Sequence, residues 1–173
     1  MDKREELISL FNSIRDIPYS IALTAEEEDN CCSGKSNKLL SILTKKGYNI
    51  RWRVCEFNWR DLNLPLEIEE IPHEDLCTHA FLEINIEGNW RTLDPCWDKG
   101  LRKTFHVNEW GGKSNTEIAV KPVKILTPKE SQDLMKNQPN KSITEQDLKV
   151  NGAFYNAFNE YLEKERMKVE IYG

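Results

Sequence analysis

From Thr78 to Ile86 the chain alternates, with Ala80, Leu82, Ile84 and Ile86 on one face and His79, Phe81, Glu83 and Asn85 on the other. A period of two residues belongs to a β-strand, and the apolar face of such a strand requires a core to cover it. Glu87-Gly88 supplies turn residues directly after it, and Asn89 to Asp94 forms a return strand that stops at Pro95, which has no N–H for a ladder. The segment is an antiparallel hairpin. With Glu87-Gly88 as its loop, Phe81 lies opposite Asp94, and His79 lies diagonally beside Asp94 on the same face. A longer loop that includes Asn89 turns Asp94 to the other face, and the sequence does not choose between these registers.

Helical patterns flank this hairpin. Leu7, Leu10, Phe11 and Ile14 recur at helical spacing, predicting a helix from about Arg4 to Arg15 that ends before Pro18. The acidic stretch Glu26-Glu27-Glu28-Asp29 reads as a solvated loop leading to Cys31-Cys32. Next, Cys32, Ser36, Leu39, Leu40 and Leu43 share one face, and Lys45-Lys46-Gly47 marks a helix C-terminus. Cys32 therefore opens a helix, where unpaired N–H groups and the positive end of the dipole favour thiolate below the ordinary pKa of about 8.5.

Between Asn49 and Trp59, Ile50, Trp52 and Val54 alternate with Arg51, Arg53 and Cys55, as in a half-buried strand. Leu62 to Pro72 reads as a loop. Lys113 to Pro139 is polar and proline-interrupted, predicting connecting segments around one short strand from Ile118 to Ile125. Thr144 with Asp147 resembles a capped helix start, Ile143 and Leu148 suit a hydrophobic staple, and Phe154, Ala157, Phe158, Tyr161 and Leu162 form an apolar face. A terminal helix over about 145–167 is expected to pack outside the core elements.

At 173 residues the chain suits one domain over 1–173, with core motifs in 7–98 and a C-terminal extension over 113–173. No apolar run approaches the roughly 20 residues that span a bilayer, so no membrane partner is expected. The charged start Met1-Asp2-Lys3-Arg4-Glu5-Glu6 predicts a cytoplasmic protein, and five cysteines, an odd number, suit reduced thiols. A net charge of −5 without a basic stripe excludes a nucleic-acid partner. Neither Cys77, His79 and Cys96 nor Cys31 and Cys32 have the spacing of a zinc knuckle, and no calcium loop is visible, so neither metal nor cofactor is expected.

The order Cys32, His79, Asp94 is that of a nucleophile, a base and an orienter. Several motifs resemble the transglutaminase-like superfamily, the papain-like enzymes in which the order runs Cys, His, Asp. Phe11-Asn12-Ser13-Ile14-Arg15-Asp16-Ile17-Pro18-Tyr19 is similar to the family's first helix and its Arg-Asp-x-Pro-Tyr turn. Cys32-Ser33-Gly34-Lys35-Ser36 with Gly47-Tyr48 is similar to the nucleophile helix. Thr78-His79-Ala80-Phe81-Leu82-Glu83 and Asn89-Trp90-Arg91-Thr92-Leu93-Asp94-Pro95 resemble the histidine strand and the Trp-x-x-Leu-Asp-Pro strand, and 154–162 is similar to a terminal helix of small bacterial and archaeal members. Asn30 stands where the family often has Gly, and Asn tolerates a left-handed backbone better than most residues.

The resemblance implies an α+β fold in which the nucleophile helix packs on an antiparallel sheet. It also implies that Cys32 attacks an amide carbonyl of a peptide or protein, that His79 moves the proton and that Asp94 orients the imidazole. Water or an amine would resolve the thioester. The alternatives are a binding module that keeps the fold without turnover, and acyl transfer like that of arylamine N-acetyltransferases.

Overall fold

The computed structural model describes residues 2–137 and 143–172. Met1 of the charged start and Pro139 of the polar stretch lie outside the described residues. The first helix, α1 (Lys3–Arg15), is followed by α2 (Cys32–Lys45) and strand β1 (Ile50–Asn58). A 3-10 turn (Trp59–Leu62) and the short α3 (Leu66–Glu69) lead to the hairpin β2 (Leu76–Ile86) and β3 (Asn89–Leu93). A second 3-10 turn (Lys99–Leu101), β4 (Lys124–Ile125), α4 (Pro128–Asn137) and α5 (Glu145–Tyr172) complete the chain. The class is α+β, with a four-stranded antiparallel sheet in the order β3-β2-β1-β4. Among the described residues no helix is long and apolar enough to cross a membrane.

The hairpin has the shorter of the two loops. Ile86 pairs with Asn89 and Leu82 with Leu93, leaving Glu87 and Gly88 as the turn with φ of 51° and 84°. Positive φ at both central positions is the backbone of a type I′ turn, whose twist matches that of the flanking strands. Gly88 adopts it without strain, and its N–H donates to Asn85 Oδ1 at 3.0 Å. At the end of α2, Gly47 with φ of 83° likewise lets Tyr48 N–H reach the carbonyl of Leu43 at 3.0 Å.

Four expectations differ from what is found. The 62–72 loop contains α3. The strand expected over 118–125 shrinks to Lys124–Ile125, paired with Glu56 and Cys55. The connecting stretch contains α4: the prolines look like helix breakers, yet Pro128 stands at the first helical position, where its missing N–H costs nothing. Thr127 and Glu130 close a capping box there, Glu130 N–H to Thr127 Oγ1 at 3.2 Å and Thr127 N–H to Glu130 Oε2 at 2.8 Å. Finally, β1 is covered on both faces at its far end, with Cys55 and Phe57 as buried as Val54.

Two cores explain that double cover. In one, Leu7, Phe11 and Ile14 of α1 and Leu39 and Leu43 of α2 meet Leu82, Ile84 and Leu93 of the hairpin. In the other, Phe57 and Phe81 meet Phe154, Phe158 and Leu162 of α5. The terminal helix thus packs on this core by the face that Phe154, Phe158 and Leu162 supply, while Asn156, Glu163 and Lys164 on its other side are exposed. Its start has the expected cap, with Asp147 N–H donating to Thr144 Oγ1 at 3.1 Å and Thr144 N–H to Asp147 Oδ2 at 2.9 Å. Ile143 and Leu148 lie half-buried against the same core.

Two buried cations tie distant segments together. Lys35 has no solvent exposure, and its Nζ donates to the carbonyls of Arg15 at 2.7 Å, Ile17 at 2.8 Å and Cys96 at 2.7 Å. It fastens α2 to the turn after α1 and to the segment after β3. Arg166 of α5 donates to both carboxylate oxygens of Asp98, at 2.8 and 3.2 Å, and to the carbonyl of Tyr19 at 2.8 Å.

Candidate active site

Cys32 is the first residue of α2 and Cys31 is its N-cap. The preceding loop folds back through a bridge between Ser20 and Asn30, so Asn30 sits in an extended pairing and not in the left-handed turn allowed for it. Gly34 is required by proximity: a β-carbon there would stand 2.0 Å from the carbonyl oxygen of Asp29. The absence of a side chain lets this carbonyl press against the first turn of α2.

The sheet meets Cys32 at a bare edge. β3 stops at Leu93 opposite Leu82, whereas β2 begins at Leu76, so Ala80 has no strand on that side. Its backbone also turns away from β1, since the carbonyl of Val54 accepts from Leu126 at 3.0 Å and the N–H of Val54 donates to Ser131 Oγ at 3.0 Å. α2 takes up the free groups. Ser36 Oγ donates to the Ala80 carbonyl at 3.5 Å, and the Ala80 N–H bonds the Cys32 sulfur.

His79 is buried, with 2% exposure, and its Nε2 lies 2.7 Å from Asp94 Oδ2. The same carboxylate accepts two backbone N–H groups, from Ala119 to Oδ2 at 2.8 Å and from Cys96 to Oδ1 at 3.1 Å. A group ringed by donors acts as acceptor, so the proton lies on His79 Nε2 and the lone pair on Nδ1. Asp94 is itself positioned by its backbone, whose N–H donates to Thr116 Oγ1 at 2.9 Å and whose carbonyl accepts from Asn108 Nδ2 at 3.0 Å. The imidazole is enclosed between Phe81, stacked at 6.1 Å, and the edge of Phe57 at 6.4 Å.

Cys32 and His79 open on one cavity of about 150 Å³, walled by Tyr19, Trp59, Trp97 and Tyr155. All three residues expected from the sequence are therefore assembled in one place. Two of the five tryptophans line this cavity, while Trp110 packs on Phe11 at 5.6 Å in the other core. Sequence reading missed the hold of segment 116–119 on Asp94, Lys35 as a clamp, and the Ala80 N–H. The partners of each lie far away in the chain.

One expectation about Cys32 is overturned. Its thiol is pushed well above the ordinary range, first by the hydrogen bond with the Cys31 thiol, then by burial, and the Ala80 N–H only partly opposes this. The helix terminus is outweighed because the Cys31 thiol bonds the sulfur and burial disfavours its charged form. Neighbouring thiols follow the same rule: burial pushes Cys55 up to about 12 and Cys77 up to about 11. Replacing Cys31 with alanine is expected to move the pH profile of Cys32 alkylation by iodoacetamide to lower pH, read by mass spectrometry. An unchanged profile would refute the role given to Cys31.

His79, Asp94 and Cys96 bring one ligand atom each within 4.8 Å of one another. Both Asp94 oxygens already accept backbone N–H groups, from Cys96 and Ala119. The set differs from Cys77, His79 and Cys96, whose spacing is not that of a zinc knuckle. Compared with protein-family models, with curated proteins and with solved structures, the chain matches none.

Proposed function

We propose that the chain is a cysteine-dependent acyl-transfer enzyme of the transglutaminase-like, papain-like kind, acting on amide bonds of peptides or proteins. The observation that carries this reading is the 2.7 Å bond from His79 Nε2 to Asp94 Oδ2, which leaves Nδ1 as the basic atom of an imidazole that shares a cavity with Cys32. A buried His–Asp pair beside a thiol at a helix start is the arrangement that nucleophilic catalysis requires.

In this mechanism the Cys32 sulfur attacks the carbonyl carbon while its proton passes to His79 Nδ1, and the carbonyl electron pair moves onto oxygen. The oxyanion is met by the backbone N–H of Cys32, in a helix turn whose N–H groups have no intrahelical acceptor. Collapse breaks the C–N bond, His79 returns the proton to the leaving amine, and a thioester remains. Water or an amine then attacks this thioester, gives its proton to His79 and restores the thiol. Because the resting thiol is held protonated, the proton moves during attack and not before it.

A binding module without turnover is the second reading, favoured by that same raised thiol. The two are separated by p-nitrophenyl acetate, an activated ester. Acetylation of Cys32, seen by mass spectrometry together with release of p-nitrophenolate, is expected in the natural protein and absent in Cys32→Ala. An unmodified Cys32, or release that persists unchanged in Cys32→Ala, would defeat the acyl-transfer reading.

A further inference from the structure

The cavity contains a hydroxyl without a partner. Tyr19 is 5% exposed, and both its backbone groups are engaged, the N–H with Asp98 Oδ2 at 2.9 Å and the carbonyl with Arg166 Nη2 at 2.8 Å. Its phenolic oxygen has no hydrogen-bond partner among the described residues. That oxygen is not among the enclosed polar atoms left without a partner, so it keeps an open side, and a tyrosine hydroxyl open in a cavity wall is placed to meet a ligand group. The ring lines the same cavity as Cys32 and His79.

The ring is also held still. It packs on Trp97 at 4.8 Å and meets Phe158 edge-on at 6.2 Å. Lys35 clamps the carbonyls of Arg15 and Ile17 just before it. The ionisable groups that act on its hydroxyl most strongly are Cys32 and then Cys31, after burial, which pushes the phenol up and keeps it a donor. The other donor at the sulfur, the Ala80 N–H, is already committed to Cys32.

Resting on the acyl-transfer reading, we infer that the Tyr19 hydroxyl is the second oxyanion donor, hydrogen-bonding the substrate carbonyl oxygen as it takes up charge after attack by Cys32. No bond to Tyr19 forms or breaks, and its proton stays on the phenol. A neutral donor on a ring held by Trp97 and Phe158 needs little reorganisation when the charge develops, which is what makes such donors effective.

The test compares two reactions of the same sulfur. Acetylation by p-nitrophenyl acetate passes through an oxyanion, whereas alkylation by iodoacetamide displaces iodide at a saturated carbon and does not. Tyr19→Phe removes only the unpartnered hydroxyl. It is expected to slow Cys32 acetylation by about 100-fold, in the maximal rate and not in KM. Alkylation is expected to stay within about twofold of the natural protein. Acetylation left within about twofold, or both reactions slowed alike, would overturn the assignment while leaving the acyl-transfer reading intact. A natural protein that is never acetylated on Cys32 overturns that reading, and this assignment with it.

Discussion

Replacing His79 with alanine is expected to slow acetylation of Cys32 by p-nitrophenyl acetate by about 10²–10⁴-fold, the range that one positioned base contributes. The effect should be large because the thiol is held protonated by Cys31 and by burial, so that little thiolate is present without a base to form it. The fold has reason to survive, since Asp94 keeps its bonds from the Ala119 and Cys96 N–H groups. Added imidazole should restore part of the rate in proportion to its concentration, because the vacated ring space joins a cavity of about 150 Å³ beside Cys32. A merely structural role for His79 allows no such rescue. A loss below about tenfold, with an unchanged thermal transition, would remove His79 from the chemistry.

The largest expected loss of stability follows from Lys35→Met. Methionine matches the length of the lysine stem but has no donor, so the carbonyls of Arg15, Ile17 and Cys96 lose their shared partner inside the protein. Relief from burying a charge offsets part of this, and each buried carbonyl left unpaired costs about 1–3 kcal/mol. Against a total of roughly 5–15 kcal/mol for an ordinary domain, that is a large share. Urea unfolding measures it, and a loss under about 1 kcal/mol would show that Lys35 is not the clamp described.

The same lysine sets a pH dependence. Burial lowers its pKa from 10.5 to about 8, against the opposing carboxylates of Asp98 and Asp94. Between those values the unfolded chain binds the proton and the folded one does not, so this group's contribution to stability rises as pH rises through the window. The stability difference between the natural protein and Lys35→Met should therefore widen from about pH 8 to about pH 10.5. A difference that narrows over this range would contradict the direction of the shift.

How far sequence reading reached can be judged residue by residue. α2 begins at Cys32 and ends before Gly47 as expected, and the hairpin holds His79 and Asp94 on one face. Choosing between the two possible loops needed the backbone itself, since Glu87 as well as Gly88 takes positive φ. Helix α4 was hidden because Pro128 opens it instead of breaking it, a distinction that depends on Thr127 and Glu130 closing around its start. The cover on both faces of β1 was hidden too, because the core around Cys55 and Phe57 draws on residues far along the chain, among them Trp97, Phe154 and Phe158.

Helix ends, turn signals and strand alternation are written in the sequence because contacts within a few residues decide them, and Cys32, His79 and Asp94 in that order travel with those elements. The behaviour of the groups belongs to the tertiary structure. Ala119 reaches Asp94 across 25 residues, and Asp98 holds Tyr19 across 79, leaving the phenol without a partner beside Cys32. The Cys32 thiol is raised although a helix start should lower it. Burial and the partners that arrive from distant segments set the energy of a charge or an unpaired hydroxyl, and neither is a property of the residues next to it in the chain.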